Sequence, residues 1–251
     1  MSWLGRLFNA NKQSTHAKPF DPGWLKTDMH AHFLYGVDDG ARTEDESLAM
    51  LTKMHALGYQ KCIITPHIKT DTFPNTETGL IEVFKQLKTA LNQLGHPIEI
   101  ELAAEYFLDD AFMNRLEKGN LLCFGKERYL LVEFSFINPP IFEKEAFERI
   151  KLAGYVPVLA HFERYLYFHG SIEMAEVYRS MGVNIQLNVN SLSGHYGPEV
   201  KKQAELLIDH FMVDFVATDA HRMDHLALYE SNLNSPYLAK LGDRLFKNQG
   251  L

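Results

Sequence analysis

Short apolar runs recur along this chain, and six of them end in a histidine or a carboxylate: Asp28-Met29-His30-Ala31-His32, Thr65-Pro66-His67, Ala104-Glu105, Val132-Glu133, Ala160-His161 and Thr218-Asp219-Ala220-His221. Runs of this kind bounded by turn residues read as strands, here over 27–33, 60–66, 98–104, 129–134, 156–161, 183–188 and 213–219. Between them lie helix-period segments, clearest at Glu44 to Leu57, Leu80 to Leu94, Ile141 to Ala153, Ser171 to Met181 and Glu199 to His210, with Gly58, Gly95, Gly154 and Gly182 as stops after four of them. Such alternation implies a parallel α/β fold. An open doubly wound sheet gathers its ligands in one crevice, whereas a closed barrel brings nearly all its strand C-termini to one point. Polar residues at so many strand ends therefore favour a barrel, and the seven visible units make it a distorted (β/α)7, TIM-like one. The sixth strand, Val183 to Asn188, offers no evident ligand.

Length and composition agree with this reading. At 251 residues with 46% hydrophobic content, the chain suits one large core, expected over 27–251 with an arm over 1–26. Trp3, Leu4, Leu7 and Phe8 have helix-compatible spacing in that arm but make no apolar stretch long enough for a signal peptide. No run is apolar enough for a membrane span, and two cysteines, Cys62 and Cys123, are too few for a disulfide framework. A reducing cytoplasm is the expected compartment. The formal charge of −7 argues against a nucleic-acid footprint.

Each strand end has a bland reading beside the chemical one. His30 and His32 share a face by strand periodicity, which suits a metal, although packed core histidines can also share one. The following Gly36-Val37-Asp38-Asp39-Gly40 loop can fold back over a site. Asp38 and Asp39 can cap the next helix, and Asp39 is favoured as a ligand. His67 ends a buried-looking strand, and Glu105, as a carboxylate, can bridge two cations. Glu133 follows a run too apolar to leave a carboxylate unpaired, with an arginine partner as its bland explanation. Arg164, three residues after His161, can grip a phosphate bidentately or simply pair with Glu163. Asp219 and His221 form a second same-face pair. His55, His210, His16, His96, His169, His195 and His225 lie in helices or loops and are expected at the surface. A cysteine phosphatase is disfavoured, because Cys123 and Arg128 are one residue too close for a Cys-x5-Arg phosphate loop and lack its glycines.

Together these motifs resemble the polymerase and histidinol phosphatase (PHP) superfamily of distorted seven-unit barrels and, within it, bacterial tyrosine-protein phosphatases of the CpsB/YwqE type, over roughly Thr27 to Leu245. The resemblance implies metal ligands at His30, His32, Asp39, His67, Glu105, Glu133, His161, Asp219 and His221. One metal would take His30, His32, Glu105 and Asp219, a second Glu105, Glu133 and His161, and a third Asp39, His67 and His221. It further implies manganese, two or three ions per chain with iron or zinc as alternatives. Arg164 matches the phosphate-binding arginine, and Arg222 is a candidate substrate contact where the family has asparagine. Phe162 also departs from the family, replacing a proline. Asp39, Arg164 and His221 are the expected catalytic groups.

The implied activity is hydrolysis of phosphotyrosine on protein by metal-activated water, opposing an autophosphorylating bacterial tyrosine kinase that regulates capsule or exopolysaccharide export. The competing readings are a small-molecule phosphomonoesterase such as a histidinol phosphatase, a phosphodiesterase or nuclease, and an inactive metal-binding module.

Overall fold

The computed structural model describes residues 19–242 and 244–251. Its strands are β1 (Thr27–Ala31), β2 (Lys61–Ile64), β3 (His67–Ile68), β4 (Glu99–Leu102), β5 (Glu105–Phe107), β6 (Tyr129–Glu133), β7 (Val156–Leu159), β8 (Asn184–Asn188) and β9 (Phe215–Ala217). Helices α1 (Glu44–Ala56), α2 (Glu77–Gln93), α3 (Asp110–Lys118), α4 (Glu143–Leu152), α5 (Glu173–Ser180), α6 (Pro198–Asp209), α7 (Met223–Ser231) and α8 (Pro236–Gly242) are interleaved with them. Every strand pairing is parallel. The architecture is mixed α/β, built on two curled parallel sheets of order β1-β2-β4 and β3-β5-β6-β7-β8-β9.

The two sheets share strand lines. The strands expected at 60–66 and 98–104 each pause and resume, β2 giving way to β3 across Thr65-Pro66 and β4 to β5 across Ala103-Ala104. Pro66 has no amide to donate to the ladder, yet the pairing carries on through Ala103 N–H to Ile64 O (2.9 Å) and Glu105 N–H to Pro66 O (3.1 Å). The pauses fall immediately before His67 and Glu105. At the far edges β1 lies beside β9: Asp219 N–H donates to His30 O (2.9 Å), His32 N–H to Ala220 O (3.0 Å), and Ala31 bridges Ala220 in parallel.

Alternate residues serve two faces, as strand periodicity demands. Ile63, Ala103, Leu131, Val158 and Ala217 form a compact inner cluster, while their neighbours Ile64, Leu130, Leu159 and Leu187 join the main core against the helices. β1 breaks the rule by a register shift between Asp28 and Ala31. Met29 belongs to the inner cluster and Ala31 to the outer core, so the shift lets His30 and His32 turn inward above Met29. An extra residue of this sort re-aims the side chains beyond it.

Helix starts follow their caps. Thr43, Thr76 and Asp109 accept from Glu46, Gly79 and Phe112 N–H respectively, so α2 begins at Glu77 rather than at the expected Leu80. α3 (Asp110–Lys118), α7 (Met223–Ser231) and α8 (Pro236–Gly242) are helices beyond the five expected. Residues 1–18, which include Trp3, Leu4, Leu7 and Phe8 of the expected arm, lie outside the described residues. From Phe20 onward the chain is packed: Phe20 and Leu25 are buried in the main core, and Phe20 N–H donates to Leu233 O (2.9 Å).

The β1–β9 seam carries a latch. Asp28, fully buried, accepts from Thr218 N–H (3.0 Å) and Thr218 Oγ1–H (2.6 Å). Burial pushes its pKa up to about 6, while the two Thr218 bonds hold it down. Thr218→Val keeps the side-chain shape and leaves the buried Oδ2 without that donor. Unpairing a buried acceptor costs about 1–3 kcal/mol, which at about 2–4 °C per kcal/mol for a chain of this size predicts a midpoint lowered by roughly 2–12 °C. Thermal unfolding followed by circular dichroism checks this, and an unchanged midpoint refutes the latch.

Candidate metal centre

The re-aimed end of β1 places His30 Nε2 3.2 Å from His32 Nε2. Glu105 Oε2, from the start of β5, lies 3.5 and 3.6 Å from these two nitrogens, and Asp219 Oδ1, just beyond β9, lies 3.4 and 3.3 Å from them. Donors held about 2.1–2.2 Å from a shared divalent cation stand about 3.0–3.6 Å apart, whether as tetrahedral or octahedral neighbours. The donor atoms of His30, His32 and Asp219 therefore already have the spacing of a coordination shell, and Glu105 Oε2 stands beside both imidazoles. All four residues are buried.

Two further groupings adjoin the first. His161 Nε2 lies 3.0 Å from Glu105 Oε1 and 3.9 Å from Glu133 Oε2, and His67 Nδ1 lies 3.4 Å from Glu133 Oε1. On the other side, Asp39 Oδ1 is 3.6 Å from His67 Nε2 and 3.5 Å from His221 Nε2. The nine candidate ligands thus come together in one site. Glu105 Oε2 also sits 2.9 Å from His67 Nδ1, yet neither atom makes a hydrogen bond, and His161 Nδ1 is likewise buried without a partner. A buried carboxylate oxygen ringed by imidazole nitrogens and lacking a hydrogen bond is the donor set a cation needs. Imidazole and carboxylate without thiolate suit manganese, iron or zinc.

The imidazoles and carboxylates of the site shift one another's protonation. Burial opposes protonation of His67, but Glu105 and Glu133 outweigh it and push its pKa up to about 12. Burial and the nearby His67 likewise oppose His32, yet Asp38 and Asp219 carry it up to about 10. Glu105 and Asp219, which burial alone would raise, are held well below the usual carboxylate range, chiefly by His30 with His67 for Glu105 and with His221 for Asp219. His161 goes the other way, its pKa lowered by burial despite Glu105.

Residues not anticipated from sequence hold the ligands in place. Asp38, expected only as a turn or cap, accepts from the His32 ring at Nδ1 (2.8 Å), from His67 N–H (3.0 Å) and from Gly40 N–H (2.9 Å). Gly40 permits this fold-back, because a Cβ there would come 2.1 Å from His32 O. β8 supplies the rest: Gln186 Oε1 meets His30 Nδ1 (3.0 Å) and accepts from His161 N–H (2.8 Å), while Asn188 Nδ2–H donates to Asp219 Oδ2 (2.7 Å). The sixth expected strand thus contributes amides that orient ligands rather than ligands of its own. His161 (φ 33°) and Asp219 (φ 49°) adopt left-handed backbone, a cost tolerated mainly where function demands it.

Arg164 closes one wall. Its Nη1 donates to Asp219 Oδ2 (3.0 Å) rather than to Glu163. It lines a cavity of about 380 Å³ with Asp39, His67, Lys69, Phe136, Tyr196 and Arg222 among others, a volume that suits a small-molecule group or a protruding side chain. Arg222 is exposed, at the N-terminus of α7. His195 and His225, expected at the surface, also line this cavity, and His225 is buried; their positions in loop and helix gave no strand-end signal.

The family described as "Capsular polysaccharide synthesis, CpsB/CapC" matches residues 26–233. Tyrosine-protein phosphatase YwqE of Bacillus subtilis is 29% identical over 196 residues, covering 78% of this chain and 77% of that protein. Tyrosine-protein phosphatase CpsB of Streptococcus pneumoniae is 26% identical over 228 residues, covering 89% and 90%. A crystal structure from work on YwqE and CpsB, described there as unique metal-dependent tyrosine phosphatases, superposes with a TM-score of 0.73 at 26% identity over 88% of this chain and 94% of that one. The matched span takes in every strand end that carries a candidate ligand, and the chain belongs to the CpsB/CapC family.

Proposed function

We propose that this chain is a metal-dependent protein-tyrosine phosphatase, a distorted (β/α)7 barrel forming one catalytic domain from about Phe20 to Leu251. The observation that carries the reading is the cluster of His30, His32 and Asp219 donor atoms beside the buried Glu105, with Arg164 bonded to the far oxygen of the same Asp219. We assign His30, His32, Glu105 and Asp219 to one cation, Glu105, Glu133 and His161 to a second, and Asp39, His67 and His221 to a third, with manganese the expected metal, two or three ions per chain, and iron or zinc able to replace it.

Bound divalent cations supply acidity to a water molecule and positive charge to a phosphoryl group. The chain's own residues do the rest. Arg164 turns its remaining N–H donors toward the cavity and grips phosphoryl oxygens as charge builds on them. Arg222, at the rim, meets the substrate flank. His221 donates through Nδ1 to Asp219 O (2.9 Å), which leaves Nε2 facing Asp39; that atom would serve the third cation when three are bound, and when two are, the imidazolium, protonated at both nitrogens, would give its Nε2 proton to the leaving phenolate and remain neutral with its proton on Nδ1. A phenol with an ordinary pKa near 10 needs little such help. Cysteine chemistry is not used: Cys62 is fully buried, and burial raises its thiol pKa well above the usual value.

The substrate is phosphotyrosine on a protein partner, in the setting the CpsB/CapC family description names, capsular polysaccharide synthesis. We take that partner to be an autophosphorylating bacterial tyrosine kinase met in the cytoplasm. No helix among the described residues is long and apolar enough to cross a membrane.

Metal-stripped protein is expected to lose turnover of a phosphotyrosyl peptide and recover it with Mn²⁺, and the loaded enzyme to prefer that peptide over histidinol phosphate; the opposite preference overturns the substrate assignment. Replacing both His30 and His32 by alanine is expected to lower metal content and reduce kcat/KM by more than about 100-fold, since removing ligands exceeds the roughly 10–100-fold effect of removing their supports. Gln186→Leu tests such a support: elemental analysis and metal titration should read about 10–100-fold weaker metal binding in a folded protein, and unaltered affinity would show that His30 needs no partner at Nδ1.

A further inference from the structure

Arg164 differs from the cavity's other cations in what covers its faces. Its guanidinium carbon lies 4.3 Å from the centre of the Phe136 ring and 4.3 Å from that of Tyr196, well inside the roughly 6 Å over which cation–π attraction acts. The two rings do not pair with each other among the aromatic contacts of the described residues, so they approach the guanidinium from separate directions. The remaining side of Arg164 opens to the cavity that it lines.

The rings reach Arg164 from different segments. Phe136 follows β6, in a stretch pinned by Leu166 N–H to Phe136 O (3.3 Å) and by Tyr167 Oη–H to Ser135 O (2.9 Å). Tyr196 follows the 3₁₀ turn Val189–Ser193. Glu163, buried beside Arg164, ties that turn to the one carrying the arginine by accepting from Asn188 N–H (3.0 Å) and Ser191 Oγ–H (2.6 Å). Arg164 itself has one protein acceptor among the described residues, Asp219 Oδ2. A long side chain with a single hydrogen bond loses much rotamer freedom when ordered, and stacking offsets that loss without occupying further donors.

We propose that Phe136 and Tyr196 are positioning residues that clamp Arg164, so that its free edge meets a phosphoryl group in the plane of the guanidinium while neither ring touches the reacting atoms. The proposal rests on reading the cavity as a phosphate site. Phe136→Leu and Tyr196→Leu keep apolar bulk and remove the π face. Each metal-loaded variant is expected to bind inorganic phosphate roughly five- to thirtyfold more weakly, the factor matching a desolvated cation–π contact of about 1–2 kcal/mol. The same factor is expected in kcat/KM for a phosphotyrosyl peptide and for p-nitrophenyl phosphate, with Tyr196→Phe restoring it. In an Arg164→Ala background the ring variants should cost nothing further. Equal losses with and without Arg164, or a loss confined to the peptide, would mean that the rings act on the substrate directly and would overturn the clamp. Phosphate titration needs no turnover, so a parent protein that hydrolyses neither ester defeats the phosphatase reading while leaving the coupling between the rings and Arg164 measurable.

Discussion

A single buried carboxylate organises this molecule. Glu105 is fully buried, and the imidazoles of His30, His32, His67 and His161 approach its two oxygens at 2.9–3.6 Å. Burying an unpaired ion costs several kcal/mol, so the surrounding strands must bring compensating groups to this point. His30 and His32 come from the end of β1, His161 from just beyond β7, and His67 from the first residue of β3, where the β2–β3 line resumes. The neighbouring imidazoles offset the charge of Glu105, and a cation held by the same atoms would compete with their protons, so that binding it would stabilise the fold as well as the site.

Convergence depends in turn on the seam between the first strand and the last. β1 and β9 are joined by a few backbone bonds and by the Asp28–Thr218 latch. Residues on either side of the latch, His30 and Asp219, are candidate ligands and bond to each other through their backbones. Loosening the seam would separate His30 and Asp219, two members of the His30–His32–Asp219 cluster. The protein thus divides its interior by depth: Met29, Ile63, Ala103 and Leu131 fill the lower part with apolar bulk, and the polar site occupies the layer above.

Much of this was legible in the residue order, because strand ends are local and their chemistry is written in one or two letters. His67, Glu105, His161 and Asp219 could be picked out without knowing what they touch. The register shift in β1 could not, since its cause lies in pairing with a neighbour. The interrupted lines of β2/β3 and β4/β5 were equally hidden, each looking like one strand from its composition. Asp38, Gln186 and Asn188 were missed for a different reason. Amides and turn carboxylates have many ordinary uses, and only three-dimensional proximity reveals which ones orient a ligand. Tyr196 and Phe136 likewise read as ordinary apolar residues until both are seen against the same guanidinium.

Asp219 joins the two halves of the chemistry. Its Oδ1 faces His30 and His32, while its Oδ2 receives Arg164 Nη1–H and Asn188 Nδ2–H. Under the proposed assignment, a cation held at Oδ1 would draw charge from Oδ2 and loosen the bond from Arg164. The arginine's orientation would then rest on the Phe136 and Tyr196 rings, while Asn188 Nδ2–H would remain as a donor to Oδ2. Cation loading and phosphate grip would thereby be coupled through one side chain, with the direction of coupling set by which oxygen each partner touches.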